Sequence, residues 1–571
     1  FQKAMQHYFN QWKMAHPYTE DFRNSIIGYT HVDLNWFFDQ WLETTKSIDY
    51  GVKKAKHVKK LVWEIEFERK GDMQMPLDVL ITFKDTTPLK LTIPNTYFSK
   101  TDFGRPWIKW LGWGKLNTTY TLVVPRSQKI ENVQIDPSHR LADINELNNS
   151  LKCPVLFTFD HQIGNPPDRK LYFLKWRPDV WYNNYDGLKL GLHFNGHYMK
   201  MRHVFSFTAW YNSGLLSNYD EVLYAKSSPI YPAHYALNYK HRIAKQLDIQ
   251  VQSKMLDGLF QNKIGIEKNM PQSTYRLYVK SMRRVQLYYL PAFQMANMNF
   301  SNFIPNLSSY DEWNNTLNVE YEKPFTYLNG YSKLLLALKS SMLGSDYDYA
   351  SFSAQLVQTH PLLRFELRSR FFAQILTGGN IAPESQLYLA GANPEEMAEN
   401  KVNRSAGLVP MEWFQYGAPT NHYQAGGGLN LRGYAGYVTP VMDGINQVFL
   451  YRGNMGASAN LELDYDQYLW FLRSNKYLKL DTYLFLDAGI LSARELGNRE
   501  QTLTPKSAVV NTGIMACGGH GLVLTIKRWG VLDEVKPLSI RFDIPFYLSN
   551  APAKEGENLM FRWVLGVSRA F

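Results

Sequence analysis

The chain has 571 residues, a formal net charge of +11 and 15% aromatic side chains, a length that fits two or three domains. It contains no uninterrupted apolar run long enough for a transmembrane helix, and its scattered Lys and Arg, without a nucleic-acid-binding module, exclude nucleic acid as an expected partner. A mean hydropathy of −0.35 with so many aromatics is typical of alternating membrane strands, or of a large soluble β protein.

The first 50 residues are predicted to be helical. Apolar side chains recur there at helical spacing, namely Ala4, Met5, Tyr8, Phe9 and Trp12. A break follows at His16-Pro17, and Asp33 in an N-cap position predicts a second helix over Leu34–Leu42. Because the first residue is Phe1 rather than Met, the chain is expected to be a processed product or part of a longer protein.

Residues 51–150 alternate with the period of two that marks strands. One predicted strand has an apolar face made of Leu61, Trp63, Ile65 and Phe67. Its other face is acidic, with Glu64, Glu66 and Glu68. The next strand repeats the apolar pattern in Met75, Leu77, Val79, Ile81 and Phe83. With turn signals between such segments, this region is predicted to be a small β-sandwich.

Residues 151–571 are predicted to form a large antiparallel transmembrane β-barrel of about 16 strands. In one segment Leu188, Leu190, Leu192 and Phe194 share a face opposite Lys189, Gly191 and His193. The Asn195-Gly196 pair that follows is a two-residue hairpin signal, and such a turn would point His193 and His197 to opposite faces. No metal site is therefore predicted. The segment 383–437, which is rich in glycine and weak in strand character, is predicted to be a long inward loop.

The last eleven residues are the most informative. Apolar and aromatic residues share one face of the predicted final strand, namely Phe561, Trp563, Leu565, Val567 and Phe571. Arg569 interrupts that face, and the opposite face is mostly small or polar. A strand that presents aromatics to lipid and small groups to a lumen has this pattern. It predicts a bacterial outer-membrane barrel with membrane lipid as its surroundings, and Trp563 and Phe571 as its carboxy-terminal signal.

Three local patterns occur in a fixed order before that strand. Asn430–Tyr434 (NLRGY) follows a Gly426–Gly428 run, Phe485–Gly489 reads FLDAG, and Ser539–Asp543 reads SIRFD. Together they resemble the superfamily of BamA-like barrel-assembly and two-partner-secretion proteins, which are sixteen-stranded. The resemblance implies that Arg432, with Gly433 and Tyr434, forms the tip of a loop folded into the barrel.

The resemblance also implies a partner for that arginine. Asp487 would pair with Arg432 on the strand marked by Phe485 and Gly489, and Arg541 and Asp543 would mark the penultimate strand. A charged loop tip in a partly dry lumen is costly unless it is paired, and a guanidinium can bind a carboxylate through two parallel hydrogen bonds.

The first 150 residues carry a different resemblance. Tyr8-Phe9, Asp21-Phe22 and the WFFDQW segment Trp36–Trp41 look like the end of the catalytic domain of aminopeptidase-N-type zinc peptidases (gluzincins). Ile135–Pro137 and Arg140–Asn145 are similar to the Bacteroidetes-like version of that family. The family needs a His-Glu-x-x-His helix for its zinc, and these 571 residues contain none. The chain thus has no catalytic centre and no cofactor of its own, and any zinc domain is expected upstream of Phe1.

Two functions from different classes remain open, so whether the parent protein is an enzyme is uncertain. The first is a component of outer-membrane protein assembly or translocation, with amino-terminal domains that the family likeness places in the periplasm, where partner subunits would dock. The second is a membrane-anchored zinc aminopeptidase whose catalytic domain lies upstream. A solute channel is a third hypothesis, which is favoured if the long loop leaves the lumen open. The two cysteines, Cys153 and Cys517, form no recognisable disulfide framework or catalytic signature.

Overall fold

The computed structural model describes residues 1–59, 61–84, 86–95, 105–106, 117–161, 168–183, 186–216, 232–256, 259–284, 312–327, 329–399, 421–435, 442–443, 446–447, 452–466, 475–493, 510–532, 535–551 and 557–571. Two units are distinguished. The first comprises Phe1–Leu156 with Pro166–Phe173, and the second Phe157–Asn165 with Leu174–Phe571. The prediction of a mainly β chain with a short helical start is confirmed.

Three helices open the first unit: α1 (Gln2–Trp12), α2 (Thr19–Thr30) and α3 (Asn35–Leu42). They bury Ala4, Ile26 and Phe38 against one another. The helix α3 begins one residue later than predicted, so its N-cap is Leu34 rather than Asp33. Asp33 lies just before the cap, and its Oδ1 accepts a hydrogen bond from the Asn35 amide over 3.0 Å. The second helix, α2, was not predicted, because its few apolar residues lie in a mostly polar stretch.

Seven strands follow in the first unit. They are β1 (Tyr50–Lys59), β2 (Val62–Arg69), β3 (Leu77–Phe83), β4 (Thr86–Ile93), β5 (Arg105–Pro106), β6 (Thr119–Val124) and β7 (Ile130–Ile135). One sheet has the order β1-β2-β6 and the other the order β5-β4-β3-β7. Alternate residues such as Ile65, Phe67, Val79 and Ile81 are fully buried in a shared core, which is the arrangement of a small sandwich. A 3₁₀ turn, Glu146–Asn149, follows.

The second unit is built on one large sheet. Its strands up to the long insertion are β8 (Val155–Phe159), β9 (Tyr172–Asn183), β10 (Gly187–Tyr198), β11 (Arg202–Asn212), β12 (Ala233–Ala244), β13 (Leu247–Leu256), β14 (Leu259–Met270), β15 (Ser273–Arg284), β16 (Trp313–Tyr327), β17 (Gly330–Ser341), β18 (Asp348–Leu362) and β19 (Phe365–Asn380).

The insertion and the strands after it complete the unit. The insertion contains β20 (Leu387–Tyr388), a short helix α4 (Pro394–Met397), β21 (Asn421–Tyr423), β22 (Met442–Asp443), β23 (Asn446–Gln447) and β24 (Arg452–Gly453), with 3₁₀ turns at Pro383–Ser385 and Arg432–Tyr434. The sheet then resumes with β25 (Met455–Asp464), β26 (Leu478–Ala493), β27 (Val510–Asn511), β28 (Met515–Ile526), β29 (Leu538–Leu548) and β30 (Trp563–Val567). Residues 400–420 and 436–437 of the predicted inward loop lie outside the described residues.

The large sheet has the strand order of a β-barrel, in which successive long strands are antiparallel neighbours. Among the described residues it contains seventeen strands of five residues or more, against about sixteen predicted. β19 pairs directly with β25, with Phe371 opposite Ala459. The chain between them is therefore an insertion that leaves the sheet and returns to it.

The two faces of this sheet differ in chemistry. Large apolar side chains alternate along the outer face and are 38–55% exposed, including Leu190, Leu192, Ile264, Ile266, Leu277, Leu317, Val319, Leu338, Phe352, Phe371, Ile375, Leu484, Leu486 and Leu524. The inner face is polar and is partly covered by the insertion. Among the described residues, no helix is both long and apolar enough to span a bilayer.

The predicted hairpin at Asn195-Gly196 is wrong. β10 runs straight through it, with Asn195 opposite Ser206 and Gly196 opposite Phe205. The turn comes later, where Met199 and Lys200 take φ of 50° and 59°, because continued pairing with β11 outweighs the local turn preference.

Because β10 is unbroken, the predicted orientation of its histidines also changes. His193 and His197 share a face of the strand, four residues or roughly 13 Å apart, rather than pointing to opposite faces as predicted. That spacing is far too long for two ligands of one ion. Within the described residues there is no group of three or more metal-ligating side chains.

A bulge near the end of β29 changes which residues face inward. Gly518 lies opposite Tyr547 but His520 lies opposite Ile544, so β29 holds one extra residue there. A bulge reverses the alternation beyond it. Strict alternation from Phe542 would place Leu548 on the lipid face and Tyr547 in the lumen. Beyond the bulge, Leu548 is instead fully buried on the inner side and Tyr547 is 38% exposed.

Candidate functional site: a buried arginine at the loop tip

The insertion packs its apolar residues onto the inner face near β26, β28 and β29. The shared core contains Leu387, Leu389, Leu429, Leu431, Tyr434, Tyr483, Phe485, Leu491 and Leu548 among other buried residues. Because these contacts come from both the loop and the strands, the loop has a fixed place on the sheet. The candidate functional site lies at its tip.

Glycines shape the approach to that tip. Gly427 and Gly428 have φ of 151° and 50°, backbone conformations that residues with a Cβ rarely adopt. A Cβ on Gly428 would also lie 2.5 Å from the Gly391 carbonyl oxygen. The glycine run therefore lets two arms of the loop touch and directs the 3₁₀ turn at Arg432–Tyr434 toward the strands.

Arg432 binds Asp487 through two parallel hydrogen bonds. Its Nε donates to Asp487 Oδ2 over 2.8 Å and its Nη2 to Oδ1 over 3.1 Å. The Arg432 backbone amide donates to the same Oδ2 over 3.2 Å. Both side chains have no solvent exposure. This is the bidentate geometry that makes arginine–carboxylate pairs specific as well as strong.

Two further carboxylates surround the guanidinium. Arg432 Nη1 donates to Glu462 Oε1 over 2.8 Å and lies 3.8 Å from Asp543 Oδ1. Glu462 comes from β25 and Asp543 from β29. One loop arginine is thus in contact with carboxylates from three different strands, and it holds them together from the inner side.

Aromatic rings complete the surroundings of Arg432. Its guanidinium carbon is 4.2 Å from the centre of the Phe485 ring and 5.8 Å from that of Tyr483, distances at which ring faces attract cations. Tyr483 also donates its hydroxyl to Asp543 Oδ1 over 2.6 Å. The rings exclude water, so the charges are compensated by one another.

The neighbouring loop residues are held equally closely. The Gly433 amide donates to Cys517 Sγ over 3.2 Å, and a Cβ on Gly433 would lie 2.5 Å from Cys517 Cβ. Tyr434 is fully buried and donates its hydroxyl to the Ala516 carbonyl over 3.2 Å. Gly489 leaves room for Leu431, whose Cδ1 would be 2.9 Å from an added Cβ. The residues of both sequence motifs therefore meet in one place.

A polar layer next to Asp487 fixes the loop backbone. Asn460 Nδ2 donates to Asp487 Oδ1 over 3.1 Å and to the Asn430 carbonyl over 3.0 Å. Arg370 donates from Nη1 to Asn460 Oδ1 over 3.0 Å and from Nη2 to the Gly428 carbonyl over 2.8 Å. Strand side chains thereby satisfy loop carbonyls that would otherwise be buried without partners.

Arg541 and Asp543 of the penultimate strand are also buried and in contact. Arg541 Nε lies 3.3 Å from Asp543 Oδ2. Arg541 Nη2 donates to the Gln424 carbonyl over 3.0 Å and to the Gln424 side-chain oxygen. The strand motif thus contacts the loop at a second point, before the glycine run.

The carboxy-terminal segment supplies a residue that the sequence pattern did not identify. Arg569 donates from Nε to Glu462 over 3.0 Å and from Nη2 to both Asp464 oxygens over 2.7 Å. Glu462 therefore accepts from two arginines, one in the loop and one at the end of the chain. The signal was present, because Arg569 broke an otherwise apolar face.

The placement of Phe571 differs from the prediction. Ser568 has a φ of 73°, so β30 ends at Val567 and the chain turns. The Phe571 ring then lies 5.9 Å from the Arg432 guanidinium, on the inner side rather than in lipid. Trp563 remains within β30, stacked on Phe542 at 5.9 Å. A period of two cannot be continued past a residue in the left-handed region.

A second group of ion pairs fixes the other arm of the insertion. Glu395 in α4 is bound by Lys280 (3.1 Å) and Lys339 (2.7 Å). Glu399 is bound by Lys254 (3.0 Å) and accepts from Gln261 (2.8 Å). All four partners lie on strands of the inner face, between β13 and β17. The insertion is therefore attached to two separated regions of the sheet.

Comparisons with known proteins identify no family. No family model and no curated protein matches the chain. Among solved structures it aligns with BamA from Haemophilus ducreyi at 13% identity, over 70% of this chain and 72% of that one, with a TM-score of 0.30. CdiB from Escherichia coli aligns at 10% identity over 71% and 66%, with 0.36. OccK5 from Pseudomonas aeruginosa aligns at 10% over 87% and 89%, with 0.29. At such TM-scores the alignments establish neither a family nor a function for the chain.

Proposed function

We propose that the chain is an outer-membrane β-barrel protein. The support is the outer face of the large sheet, where apolar side chains on many consecutive strands are exposed side by side. A soluble monomer rarely exposes a continuous apolar surface of that extent, whereas lipid-facing strands of a barrel require it. Membrane lipid is then the first partner of the chain.

We further propose that this barrel works in the assembly or translocation of outer-membrane proteins. The observation that carries the proposal is the bidentate Arg432–Asp487 pair at the tip of a loop folded onto the inner face. Residues of all three ordered motifs are among those around the pair, and that motif set is what resembles the barrel-assembly and two-partner-secretion superfamily. A solute channel does not require a buried charge cluster between a loop and the inner face of the sheet.

The test is to substitute Arg432→Ala in the full-length protein in its host and to measure the levels of other outer-membrane proteins. The proposal predicts that those levels fall while the variant itself still reaches the membrane. A matched control is Arg242→Ala, since Arg242 is an inner-face arginine that pairs with Asp248 at 2.7 Å but is about one-third exposed. Unchanged levels in Arg432→Ala, with normal folding of the barrel, would count against the assembly function.

The first unit is proposed to lie in the periplasm and to dock partner subunits of a larger complex. The support is the family likeness of the barrel motifs. Proteolysis of intact cells and of cells with a permeabilised outer membrane tests the orientation. Cleavage of the helical and sandwich unit only after permeabilisation is expected, and cleavage in intact cells would reverse the proposed orientation.

A second candidate function rests on the same first unit. Its support is the sequence likeness of the first 150 residues to the end of an aminopeptidase-N-type catalytic domain, and the parent protein would then be a zinc aminopeptidase held at the membrane by its barrel. The sequence upstream of Phe1 tests this directly. An intact His-Glu-x-x-His with a downstream Glu, together with chelator-sensitive aminopeptidase activity of the full-length protein, would favour the enzyme over the assembly component.

A further inference from the structure

The turns at one end of the large sheet carry exposed cations. Successive strands from β10 to β19 are antiparallel neighbours, so the turns β10–β11, β12–β13, β14–β15, β16–β17 and β18–β19 all lie at one end, which is named the short-turn end. Each of these turns has an exposed Lys or Arg within it or on the outer face beside it: Lys200, Lys245, Lys268, Lys323 and Arg364. Positive charge is therefore spread along this end of the sheet.

The carboxylates near the short-turn end do not balance those cations. They alternate with outer-face residues and so lie on the inner face: Asp248, Glu267, Glu322 and Glu366. There they already have basic partners. Lys240 Nζ is 3.1 Å from Asp248 and 2.7 Å from Glu267, and Arg276 is 2.9 Å from both Glu267 and Glu322. The outer side of the described short turns thus carries an excess of positive charge.

A turn at the opposite end of the sheet has the reverse character. Residues 342–348 join β17 to β18 and contain Asp346 and Asp348 but no Lys or Arg. Leu343 in this turn is 95% exposed, so apolar exposure alone does not bring cations with it. The cations accompany the short-turn end.

Two adjoining turns concentrate this chemistry. β11 and β12 are paired up to the short-turn end, which brings the turns β10–β11 and β12–β13 side by side. They supply the basic residues Lys200, Arg202 and Lys245. Between these cations, Met201 is 56% and Ile243 53% exposed. Cations mixed with exposed apolar side chains suit the boundary between lipid headgroups and acyl chains.

Polar rings lie on the outer face directly beside these turns. Tyr239 and His241 are opposite Val251 and Ile249 of β13, which are outer-face residues. His203 has a φ of 47°, and its ring stacks on His241 with the centres 4.0 Å apart. His203 Nδ1 is 2.9 Å from the Tyr239 hydroxyl, and the His203 amide donates to His241 Nδ1 over 3.4 Å.

This arrangement offers hydrogen-bond donors to an anion. Because His241 Nδ1 accepts, the neutral ring carries its proton on Nε2 and can donate from there. The stacked rings of His203 and His241 direct their nitrogen lone pairs along parallel planes, so the pair is not arranged to bind one metal ion. A free anion would need no apolar neighbours, whereas a phospholipid combines a phosphate with acyl chains.

We propose that the outer side of the turns β10–β11 and β12–β13 is a binding site for the headgroup of an anionic phospholipid. Phosphate oxygens accept from Lys200, Arg202 and Lys245, since Arg and Lys are strong donors to phosphate. The acyl chains lie along Met201 and Ile243. The site depends on the proposed membrane location of the outer face and is independent of the assembly function.

Quenching by spin-labelled lipids tests the site. The full-length protein carries Cys153→Ser, which removes the exposed thiol, and a bimane fluorophore at Met201→Cys. It is reconstituted into phosphatidylcholine vesicles with a minor fraction of phosphatidylglycerol or phosphatidylcholine that bears a nitroxide near the top of one acyl chain. Quenching is expected to be at least twofold stronger with the anionic lipid. Equal quenching by the two lipids would overturn the proposal.

The matched probe position is Leu343→Cys, in the turn with two carboxylates. There the anionic lipid is expected to quench no more strongly than the neutral one. Stronger quenching by the anionic lipid at position 343 as well would mean general enrichment of that lipid around the barrel, and it would contradict a site at the short-turn end.

Removal of charge tests the cations directly. Lys200→Gln with Lys245→Gln is expected to bring the quenching ratio at position 201 close to one. The control is Lys53→Gln with Lys54→Gln in the first unit, which removes the same charge from lysines that are 45% and 46% exposed, and it is expected to keep the ratio. An unchanged ratio in the turn variant would overturn the role of the cations.

Salt distinguishes a lipid headgroup from a free phosphate ion. Raising the ionic strength from 0.1 M to 1 M shortens the Debye length from about 10 Å to about 3 Å, so the ratio is expected to fall in sodium chloride and equally in sodium phosphate of the same ionic strength. A much larger fall in phosphate would assign the site to the free ion and overturn the lipid assignment.

The failure of this site is separable from a failure of the membrane location. Nitroxide labels along β13 report whether its residues alternate between lipid and water. If they alternate while quenching at position 201 is equal for the two lipids, the headgroup site fails and the membrane location stands. Failure of the full-length protein to enter neutral vesicles would overturn both.

Discussion

Arg432 is a cation without solvent contact whose charge is balanced by Asp487, Glu462 and, at longer range, Asp543. Breaking a buried pair by removing one partner typically costs about 3–5 kcal/mol, because the remaining charge is left uncompensated. Arg432 therefore stabilises the loop on the inner face of the sheet only as long as these carboxylates are present.

Asp487→Asn is accordingly expected to destabilise the barrel by about 3–5 kcal/mol, and Arg432→Ala by a similar amount. The temperature at which the folded band is lost in a heat-modifiability gel measures this. A matched control is Lys479→Ala on the same strand, since the Lys479 side chain is 45% exposed and exposed pairs contribute about 0–1 kcal/mol. Equal transition temperatures for Asp487→Asn and wild type would show that the pair does not stabilise the loop.

Gly433→Ala is expected to destabilise the barrel by about 1–3 kcal/mol through overpacking. The added methyl would lie 2.5 Å from Cys517 Cβ and 2.7 Å from Leu548 Cδ2. Gly518→Ala on β28 is the control, because its nearest neighbour would be at 3.4 Å. The same gel assay should separate the two, and a Gly433→Ala protein as stable as Gly518→Ala would refute the close packing at the loop tip.

In the first unit a buried carboxyl makes stability depend on pH. Burial raises the pKa of Asp143 from near 3.8 to about 6, against hydrogen bonds from the Tyr50 and Asn145 amides that lower it. The folded state therefore binds this proton more tightly than the unfolded state. Its contribution is fully present below about pH 4 and is lost as the pH rises through about 6.

The free energy of unfolding of the first unit is thus expected to fall between pH 4.5 and pH 7, by up to about 3 kcal/mol from this group. Hydrogen exchange of peptides from β1 in the full-length protein, corrected for the intrinsic effect of pH on exchange, measures it. In Asp143→Asn the slope should vanish. A slope that persists in that variant would assign the effect to another group.

The sequence motifs identified the type of most residues around Arg432 but not all of their positions. The motifs named Arg432, Asp487, Arg541 and Asp543, and in the structure these four side chains are buried close to one another. Arg569 was noted only as an interruption of an apolar face, because its inward position depends on a backbone angle, the positive φ of Ser568. No alternation pattern contains that information.

At the scale of elements, the insertion is an inner cover attached at two regions. Its Arg432 arm binds the strands near the carboxy terminus, and its α4 arm binds Lys254, Lys280 and Lys339 through Glu395 and Glu399. An inner cover with two attachments restricts any aqueous path through the sheet, which argues against the solute-channel interpretation.

Glu395→Ala is therefore expected to increase ion conductance in planar bilayers, because Lys280 and Lys339 lose their shared carboxylate and α4 is freed. Glu366→Ala is the control, since Glu366 pairs with Arg368 on the same strand and is more than one-third exposed. A conductance of Glu395→Ala equal to that of wild type would mean that the α4 arm does not restrict the path.

Element boundaries were less predictable than element types. The predicted turn at Asn195-Gly196 is wrong because the pairing of β10 with β11 extends past it. Strict alternation would place Leu548 on the wrong face because β29 holds one extra residue. Both errors arise from contacts with a neighbouring strand. Such contacts are non-local and cannot be derived from the segment alone.

At the scale of the whole molecule, a membrane location requires that the large sheet has one face in lipid and one face toward the inner loop. Consecutive residues of β13 offer a clean contrast. Ile249 and Val251 lie on the outer face. Gln250 and Gln252 lie on the inner face, where their side chains donate to Glu267 and Asn238.

The most direct test places a nitroxide spin label at each of residues 249–252 in turn, in the full-length protein reconstituted into lipid vesicles. Collision with dissolved oxygen, which concentrates in the bilayer, should dominate at 249 and 251, and collision with a water-soluble nickel chelate should be greater at 250 and 252. Values that do not alternate, or that alternate in the opposite phase, would contradict the assignment of the two faces and with it the membrane location.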